Sequence, residues 1–92
     1  MMRISKEKRE KISEQILALL FSNSPKLLFT FDIAKEIARD EEFVKELLLG
    51  MKKKGLVSEV RKNPEGVSYK RRIRWKLSDR AYKAYKLQLN IN

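Results

Sequence analysis

The side chains that could do chemistry in this sequence are charged, and they favour binding over catalysis. Histidine and cysteine are both absent from the 92 residues, which excludes imidazole catalysis, thiol nucleophiles, disulfides and zinc fingers. Asp40, Glu41 and Glu42 form an acidic cluster that could serve in acid–base or metal work. No glycine-rich loop and no second acidic cluster accompanies it, so we expect no enzymatic activity, no metal and no cofactor.

Positive charge is confined to one half of the chain. Residues 1–49 hold nine Lys and Arg against nine Asp and Glu, whereas residues 50–92 hold thirteen against three, which accounts for the whole net charge of +10. Such segregation is typical of a surface that binds a polyanion. Alternatively, the positive charge only forms a solvated, lysine-rich surface. A high content of Lys and Glu is also found in heat-adapted proteins, where it has no connection with a polyanion.

Nothing in the sequence predicts a membrane protein. The longest apolar run, residues 16–21, is six residues long, whereas a membrane-spanning helix needs roughly 20. The charged N-terminus is followed by no apolar segment suited to a signal peptide. We therefore expect a cytoplasmic protein with a single domain over residues 1–92, no membrane contact and no evident small-molecule ligand.

Apolar residues at helical spacing predict the elements that carry these charges. The predicted helices cover residues 5–22, 31–38, 41–54 and 79–89. In the third of them, apolar residues recur at i, i+3, i+4 and i+7 and are expected to face the core: Val44, Leu47, Leu48 and Met51. The expected N-caps of the four helices are Ser5, Thr30, Asp40 and Ser78, and Gly55 is expected to end the third helix.

A β-hairpin is predicted after the third helix. Its first strand runs from Leu56 to about Lys62, and residues 63–66, Asn-Pro-Glu-Gly, are typical of a turn. In residues 67–77 apolar and cationic side chains alternate, which is typical of a strand with one buried and one basic face. A short strand at residues 27–29 is expected to pair with this hairpin. The apolar face holds Ile73, Trp75 and Leu77, and the cationic face holds Arg72, Arg74 and Lys76.

Two stretches carry a family resemblance. Leu47-x3-Met51-x3-Gly55-Leu56-Val57 joins the third helix to the hairpin, and Trp75-x-Leu77-Ser78-x2-Ala81 joins the hairpin to the last helix. With the order of the elements, they make residues 5–89 resemble the winged helix-turn-helix family. Both stretches look like those of MarR- and ArsR-type transcriptional regulators and related archaeal proteins. The resemblance implies a mainly α fold with a three-helix core, a two-stranded wing and a C-terminal helix.

The resemblance also implies a partner, duplex DNA, and a role in transcription regulation. In this family the third helix enters the major groove, and the wing lies along the flanking backbone or minor groove. Carried over by position, the third-helix residues expected to bind DNA are Lys45, Leu49, Lys52 and Lys53. The wing residues expected to bind DNA are Arg61, Lys62, Lys70, Arg71, Arg72 and Arg74.

The third helix departs from the family pattern at its exposed N-terminal end. Where family members usually offer Ser, Thr, Gln, Asn or Arg, this helix offers Asp40, Glu41, Glu42 and Glu46. Carboxylates repel phosphates, and their useful base contact is limited to the cytosine amino group. Alternatively, these carboxylates only cap the helix and stabilise its dipole. The sequence therefore favours binding to the DNA backbone through the wing over base recognition by this helix.

The last helix offers apolar surface for a second subunit. The apolar surface of this helix is larger than closing one small core needs, and it is provided by Tyr82, Tyr85, Leu87 and Leu89. We therefore expect a homodimer built from the first and last helices. The alternative is that the last helix covers only its own core. A different class of function also stays open, a winged-helix protein–protein interaction module in a larger assembly.

Overall fold

The computed structural model describes residues 5–60 and 73–90, with four helices and three strands in those ranges. In chain order they are α1 (Lys6–Asn23), β1 (Leu28–Phe29), α2 (Thr30–Glu36), α3 (Glu41–Lys53), β2 (Val57–Val60), β3 (Arg74–Leu77) and α4 (Asp79–Asn90). The four predicted helices and the short strand are confirmed, and most of their ends shift by one residue. The predicted turn and the outer parts of both hairpin strands fall in residues 61–72, outside the described residues.

The three strands form one antiparallel sheet in the order β1-β3-β2. Leu28 of β1 pairs with Trp75 of β3, and Val57 of β2 pairs with Leu77. The expected pairing of the short strand with the hairpin is therefore confirmed. Because β3 lies in the centre, the segment before α2 and the segment after α3 are both attached to the same strand.

One hydrophobic core joins the helices to the inner face of this sheet. The predicted apolar stripe of α3 is confirmed, since all four of its side chains are buried. Trp75 is completely buried and is the largest such side chain among the described residues. The buried apolar residues are Ile12, Ile16, Leu20, Leu28, Ile33, Ala34, Val44, Leu47, Leu48, Met51, Val57, Trp75, Leu77 and Ala81.

Thr30 does not cap α2 as predicted, because its hydroxyl is used elsewhere. The helix begins at Thr30, and Phe29 occupies the N-cap position. Thr30 is buried, and its Oγ1 accepts a hydrogen bond of 2.8 Å from the indole Nε1–H of Trp75. A buried indole N–H without an acceptor is destabilising. The helix start is instead stabilised by Asp32, whose Oδ2 accepts a bond of 3.2 Å from the Phe29 N–H.

The other three predicted N-caps are confirmed. Ser5 Oγ accepts from the Lys8 N–H at 3.2 Å, Asp40 Oδ2 from the Phe43 N–H at 3.1 Å, and Ser78 Oγ from the Ala81 N–H at 3.1 Å. Each bond uses one of the N–H groups that a first helical turn leaves unpaired. The starts of α1, α3 and α4 are therefore encoded locally.

The tight turn between α2 and α3 depends on a left-handed residue. Ala38 has a φ of 54°, and the bonds around it, Arg39 N–H to Ala34 O at 2.9 Å and Ala38 N–H to Lys35 O at 3.3 Å, form a Schellman motif. This motif ends α2 before residue 38, which the helical spacing alone did not predict. Alanine carries a steric cost in this conformation that glycine does not.

We expect Ala38→Gly to raise the free energy of unfolding by about 0.5–1 kcal/mol, because it removes the left-handed strain at the cost of some unfolded-state entropy. Gly55→Ala is the matched counterpart. Gly55 has a φ of 76° at the C′ position of α3, and a Cβ there would lie 2.9 Å from Nη2 of Arg80. The midpoint of urea denaturation should therefore rise for Ala38→Gly and fall for Gly55→Ala. A lower midpoint for Ala38→Gly would show that Ala38 is not strained.

Candidate nucleic-acid interface

The outer face of α3 carries the side chains that the sequence predicts at this surface. All of them are exposed, so the predicted helix phase is confirmed, while their role in binding stays a prediction. Leu49 is an apolar member of this face and is 38% exposed. The members of this face are Glu42, Lys45, Glu46, Leu49, Lys52 and Lys53.

The inner face of α3 is buried in the core, and α1 contacts its N-terminal half. Val44 and Leu48 are completely buried. From α1, the Arg9 guanidinium lies 5.5 Å from the centre of the Phe43 ring and 3.6 Å from Oε1 of Glu46. Both members of this ion pair are substantially exposed, so it adds little stability. Its consequence is local, since the Glu46 carboxylate faces a cation of its own chain.

Lys52 of α3 is paired with Glu59 of β2. The ammonium donates a hydrogen bond to Oε1 of Glu59, whose side chain is only 10% exposed, while the Lys52 side chain is 46% exposed. Lys52 is one of the predicted DNA-binding residues, and the structure gives its charge a partner within the chain. The pair also ties the C-terminal half of α3 to the first strand of the wing.

The base of the wing has the alternation that the sequence predicts. Trp75 and Leu77 of β3 are buried, and Lys76 between them is exposed. Arg74 is half-buried on the outer face, and its guanidinium lies 4.8 Å from the centre of the Phe29 ring of β1. This cation–π contact anchors the base of the wing. Lys76 follows Arg74 on the same face, as the predicted alternation has it, and is a further candidate that the predicted set of DNA-binding residues left out.

The structure describes one of the six predicted wing residues, Arg74. The other five lie in residues 61–72, outside the described residues: Arg61, Lys62, Lys70, Arg71 and Arg72. The segment that carries them connects Val60 of β2 to Arg74 of β3, and these two residues are paired in the sheet. The five basic residues are therefore joined at both ends to a paired two-stranded base, which follows directly after α3.

The predicted dimer surface on α4 is divided into two parts. Tyr82 and Tyr85 are half-buried, and each ring centre lies 5.3 Å from that of Phe21 on α1. Burial, and secondly the Glu14 carboxylate, raises the pKa of the Tyr85 hydroxyl above its usual value. Leu87 and Leu89 are 65% and 60% exposed. The aromatic part thus packs within the chain, and the leucines remain on the surface.

The described residues provide neither a metal cluster nor a membrane helix. Within residues 5–60 and 73–90, no group of three or more Asp and Glu side chains is arranged to hold a metal ion. None of the helices in these ranges is long and apolar enough to cross a membrane.

Together these elements form a winged helix-turn-helix fold. The helix-turn-helix consists of α2 and α3, joined by the tight turn at Ala38, and β2 and β3 form the base of the wing. The small three-stranded sheet closes the fold through β1, the short strand that the sequence predicts to pair with the hairpin. In this fold the exposed face of α3 and the wing lie next to each other, joined here by the pair of Lys52 and Glu59.

Solved structures share this fold. The chain matches the MepR–DNA complex of S. aureus over 92% of its length with a TM-score of 0.73 and 22% identity, covering 67% of that chain. MepR, a transcription regulator of the S. aureus multidrug efflux pump MepA, matches over 87% with a TM-score of 0.69 and 24% identity, covering 55% of that chain. A double mutant of Lactococcus lactis ZitR in its apo form matches over 90% with a TM-score of 0.69 and 19% identity, covering 58% of that chain.

At these identities the similarity establishes the fold alone, a winged helix-turn-helix. The chain spans between 55% and 67% of the length of these MepR and ZitR chains. No protein-family model and no curated protein matches the sequence. The neighbours come from S. aureus and L. lactis, so the archaeal part of the resemblance stays a prediction.

Proposed function

We propose that this protein is a small transcriptional regulator that binds duplex DNA through its wing and α3. The observation that carries the proposal is the position of the charge on the fold. Residues 50–92 hold thirteen Lys and Arg against three Asp and Glu, and this half of the chain includes the C-terminal end of α3 and the wing. The fold is also that of MepR in its complex with DNA. A basic surface next to a helix-turn-helix is well suited to phosphate contacts.

The described residues support different roles for the members of this surface. On α3, Lys45 and Lys53 are exposed cations, and Leu49 is available to contact a thymine methyl group. Lys52 has to exchange its partner Glu59 for a phosphate to take part. Arg74 anchors the base of the wing against Phe29. The remaining proposed contacts are those of Arg61, Lys62, Lys70, Arg71 and Arg72.

A gel shift against random-sequence duplex DNA at about 50 mM and about 200 mM salt tests the proposal, because phosphate-based binding weakens steeply over this range. We expect a shifted band at the lower salt concentration that is lost at the higher one. Single-stranded DNA and duplex RNA as competitors distinguish duplex DNA from other polyanions. No shift at either salt concentration contradicts the proposal and favours the protein–protein interaction module.

The acidic residues of α3 should not contribute to affinity. We expect Glu42→Ala and Glu46→Ala each to leave DNA affinity unchanged or to raise it, because a carboxylate near phosphates is repulsive. Glu36→Ala is the matched control, since it removes one exposed carboxylate from α2 instead. The measurement is the dissociation constant from a salt titration. Loss of binding in Glu42→Ala alone would instead assign that side chain a base contact.

The proposal includes a homodimer formed by α1 and α4. Its support is the exposure of Leu87 and Leu89 at the end of α4, together with the two-fold symmetry that lets two α3 helices reach half-sites about one DNA turn apart. We expect sedimentation equilibrium at micromolar concentration to show a dimer that Leu87→Glu with Leu89→Glu dissociates. A wild-type species of only 10.9 kDa contradicts the dimer.

The rest of the proposal concerns the whole chain. Residues 1–92 act as one winged-helix domain in the cytoplasm, without catalytic activity. The net charge of +10 supports DNA binding. The hydrophobic core supports a single domain, because it includes buried residues from all four helices.

A further inference from the structure

The end of α3 and the start of α4 are attached to each other by three hydrogen bonds. The Ser78 hydroxyl donates to the carbonyl of Gly55 at 2.8 Å, and Nη2 of Arg80 donates to the carbonyl of Lys54 at 2.9 Å. The backbone N–H of Ser78 donates to the carbonyl of Leu56 at 3.0 Å. We name this set of residues the α3–α4 clasp: Lys54, Gly55, Leu56, Ser78 and Arg80.

Arg80 is an unusual residue for its own helix and a suitable one for α3. It lies in the first turn of α4, where the helix dipole disfavours a cation, and its guanidinium reaches the C-terminal end of α3, where the dipole favours one. Three lysines end α3 at this point, so like-charge repulsion also has to be overcome. The side chain therefore serves the contact with α3 and does not stabilise α4.

Gly55 leaves the space that this guanidinium occupies. It ends α3 through a Schellman motif, with Leu56 N–H donating to Met51 O at 2.9 Å and Gly55 N–H to Lys52 O at 3.0 Å. A Cβ at this position would lie 2.9 Å from Nη2 of Arg80. The same glycine thus permits both the end of α3 and the approach of Arg80.

The clasp joins α4 to α3 by hydrogen bonds to carbonyls, which are directional. The other contacts of α4 are apolar, since Ala81 is buried in the core and Tyr82 and Tyr85 lie against the Phe21 ring. α4 is 12 residues long, or about 18 Å at 1.5 Å per residue, so a tilt of about 10° at its first turn displaces its far end by about 3 Å. Leu87 and Leu89 are at that far end.

We infer that Arg80 is a positioning residue for DNA binding, which fixes the angle between α4 and α3 and thereby the separation of the two α3 helices in the dimer. This inference rests on the proposed function and on the proposed dimer through α4. It assigns Arg80 no contact with DNA: the residue acts through the carbonyl of Lys54.

The first arm of the test measures the angle within one chain. Because the protein has no cysteine, Lys45→Cys and Lys86→Cys place spin labels on α3 and α4 alone, and labelled protein is diluted into excess unlabelled protein to isolate the intrachain distance. We expect Arg80→Ala to broaden the distance distribution and shift it by up to about 2 Å, the displacement that a tilt of about 10° gives at residue 86, about 10 Å along α4 from its first turn. Arg80→Lys should restore it, since an ammonium can still donate to the carbonyl, and the control Lys83→Ala should not change it.

The second arm measures DNA affinity against salt with unlabelled protein. We expect Arg80→Ala to weaken binding about 3- to 10-fold, the size usual for residues that act through a coupled element, with an unchanged salt slope and a thermal midpoint close to that of Lys83→Ala. If Arg80 instead contacts a phosphate, the slope falls by about 0.9, and the inference is wrong. It is also overturned if Arg80→Ala leaves the distance distribution unchanged.

The two arms separate the inference from the function on which it rests. If the wild-type chain binds no duplex DNA, the proposed function is wrong, and the proposed role of Arg80 in DNA binding is wrong as well. If the wild-type chain binds duplex DNA and Arg80→Ala changes neither the distance nor the affinity, only the inference about Arg80 is wrong.

Discussion

Leu47→Ala is expected to lower the free energy of unfolding by about 2–5 kcal/mol, the cost of removing a buried leucine side chain and leaving a cavity. Leu47 is buried in the middle of α3, within the cluster that includes Met51, Val57 and Leu77. A domain of this size has a total stability not far above that amount. Urea denaturation followed by circular dichroism should therefore show a large decrease in midpoint, or a chain that is unfolded without denaturant.

Leu49→Ala is the matched control for this experiment. The same chemical change is made two residues further along the same helix, at a side chain that is 38% exposed and outside the buried cluster. We expect its effect on stability to stay within about 0.5 kcal/mol. Equal urea midpoints for Leu47→Ala and Leu49→Ala would contradict an orientation of α3 in which Leu47 faces the core and Leu49 faces outward.

Arg71→Ala combined with Arg72→Ala is expected to weaken binding to all duplex sequences by a similar factor and to flatten the salt slope by up to about two units, because each phosphate contact contributes about 0.9. Both residues belong to the basic segment that the paired ends of β2 and β3 carry. The effect should be insensitive to sequence, since phosphates carry no base information. Fluorescence anisotropy at a series of salt concentrations measures affinity and slope together.

Lys83→Ala combined with Lys86→Ala is the control for net charge. This variant loses the same two positive charges from exposed positions on α4, so a purely long-range effect of charge would appear equally in both double variants. We expect its salt slope to stay near that of the wild type. The wing is not the binding surface if its double variant keeps full affinity and slope while a substitution on α3 abolishes binding.

The parts of the fold that follow from short-range patterns could be predicted from the sequence. The stripe of Val44, Leu47, Leu48 and Met51 determines how α3 faces the core, and the alternation around Trp75 determines how β3 faces it. Both patterns are periodic within one element, and burial of apolar surface then leaves little choice of orientation. The exposed positions of α3 follow from the same periodicity.

The features that could not be predicted depend on partners far away in the chain or on backbone conformation. Thr30 has the residue type of an N-cap, yet its hydroxyl serves an indole 45 positions away. Ala38 has no side-chain signal for its left-handed conformation, since alanine is common in helices. Lys52 is a basic residue on an exposed helix face, and only the packing of β2 beside α3 reveals its pairing with Glu59. In each case tertiary contacts decide the role of the residue.

The hydrogen bond between Trp75 and Thr30 also has a consequence for how the chain folds as it is made. Contacts between residues 45 positions apart close late, because the entropy of the intervening loop has to be lost first. The first three helices are synthesised before β3, since synthesis runs from the N-terminus. Until Trp75 has been synthesised, the sheet lacks its central strand and the Thr30 hydroxyl of α2 lacks its hydrogen-bond donor. We therefore expect the ability to bind DNA to appear only after β3 has been made, so that shorter nascent chains do not compete with folded ones for the same sites.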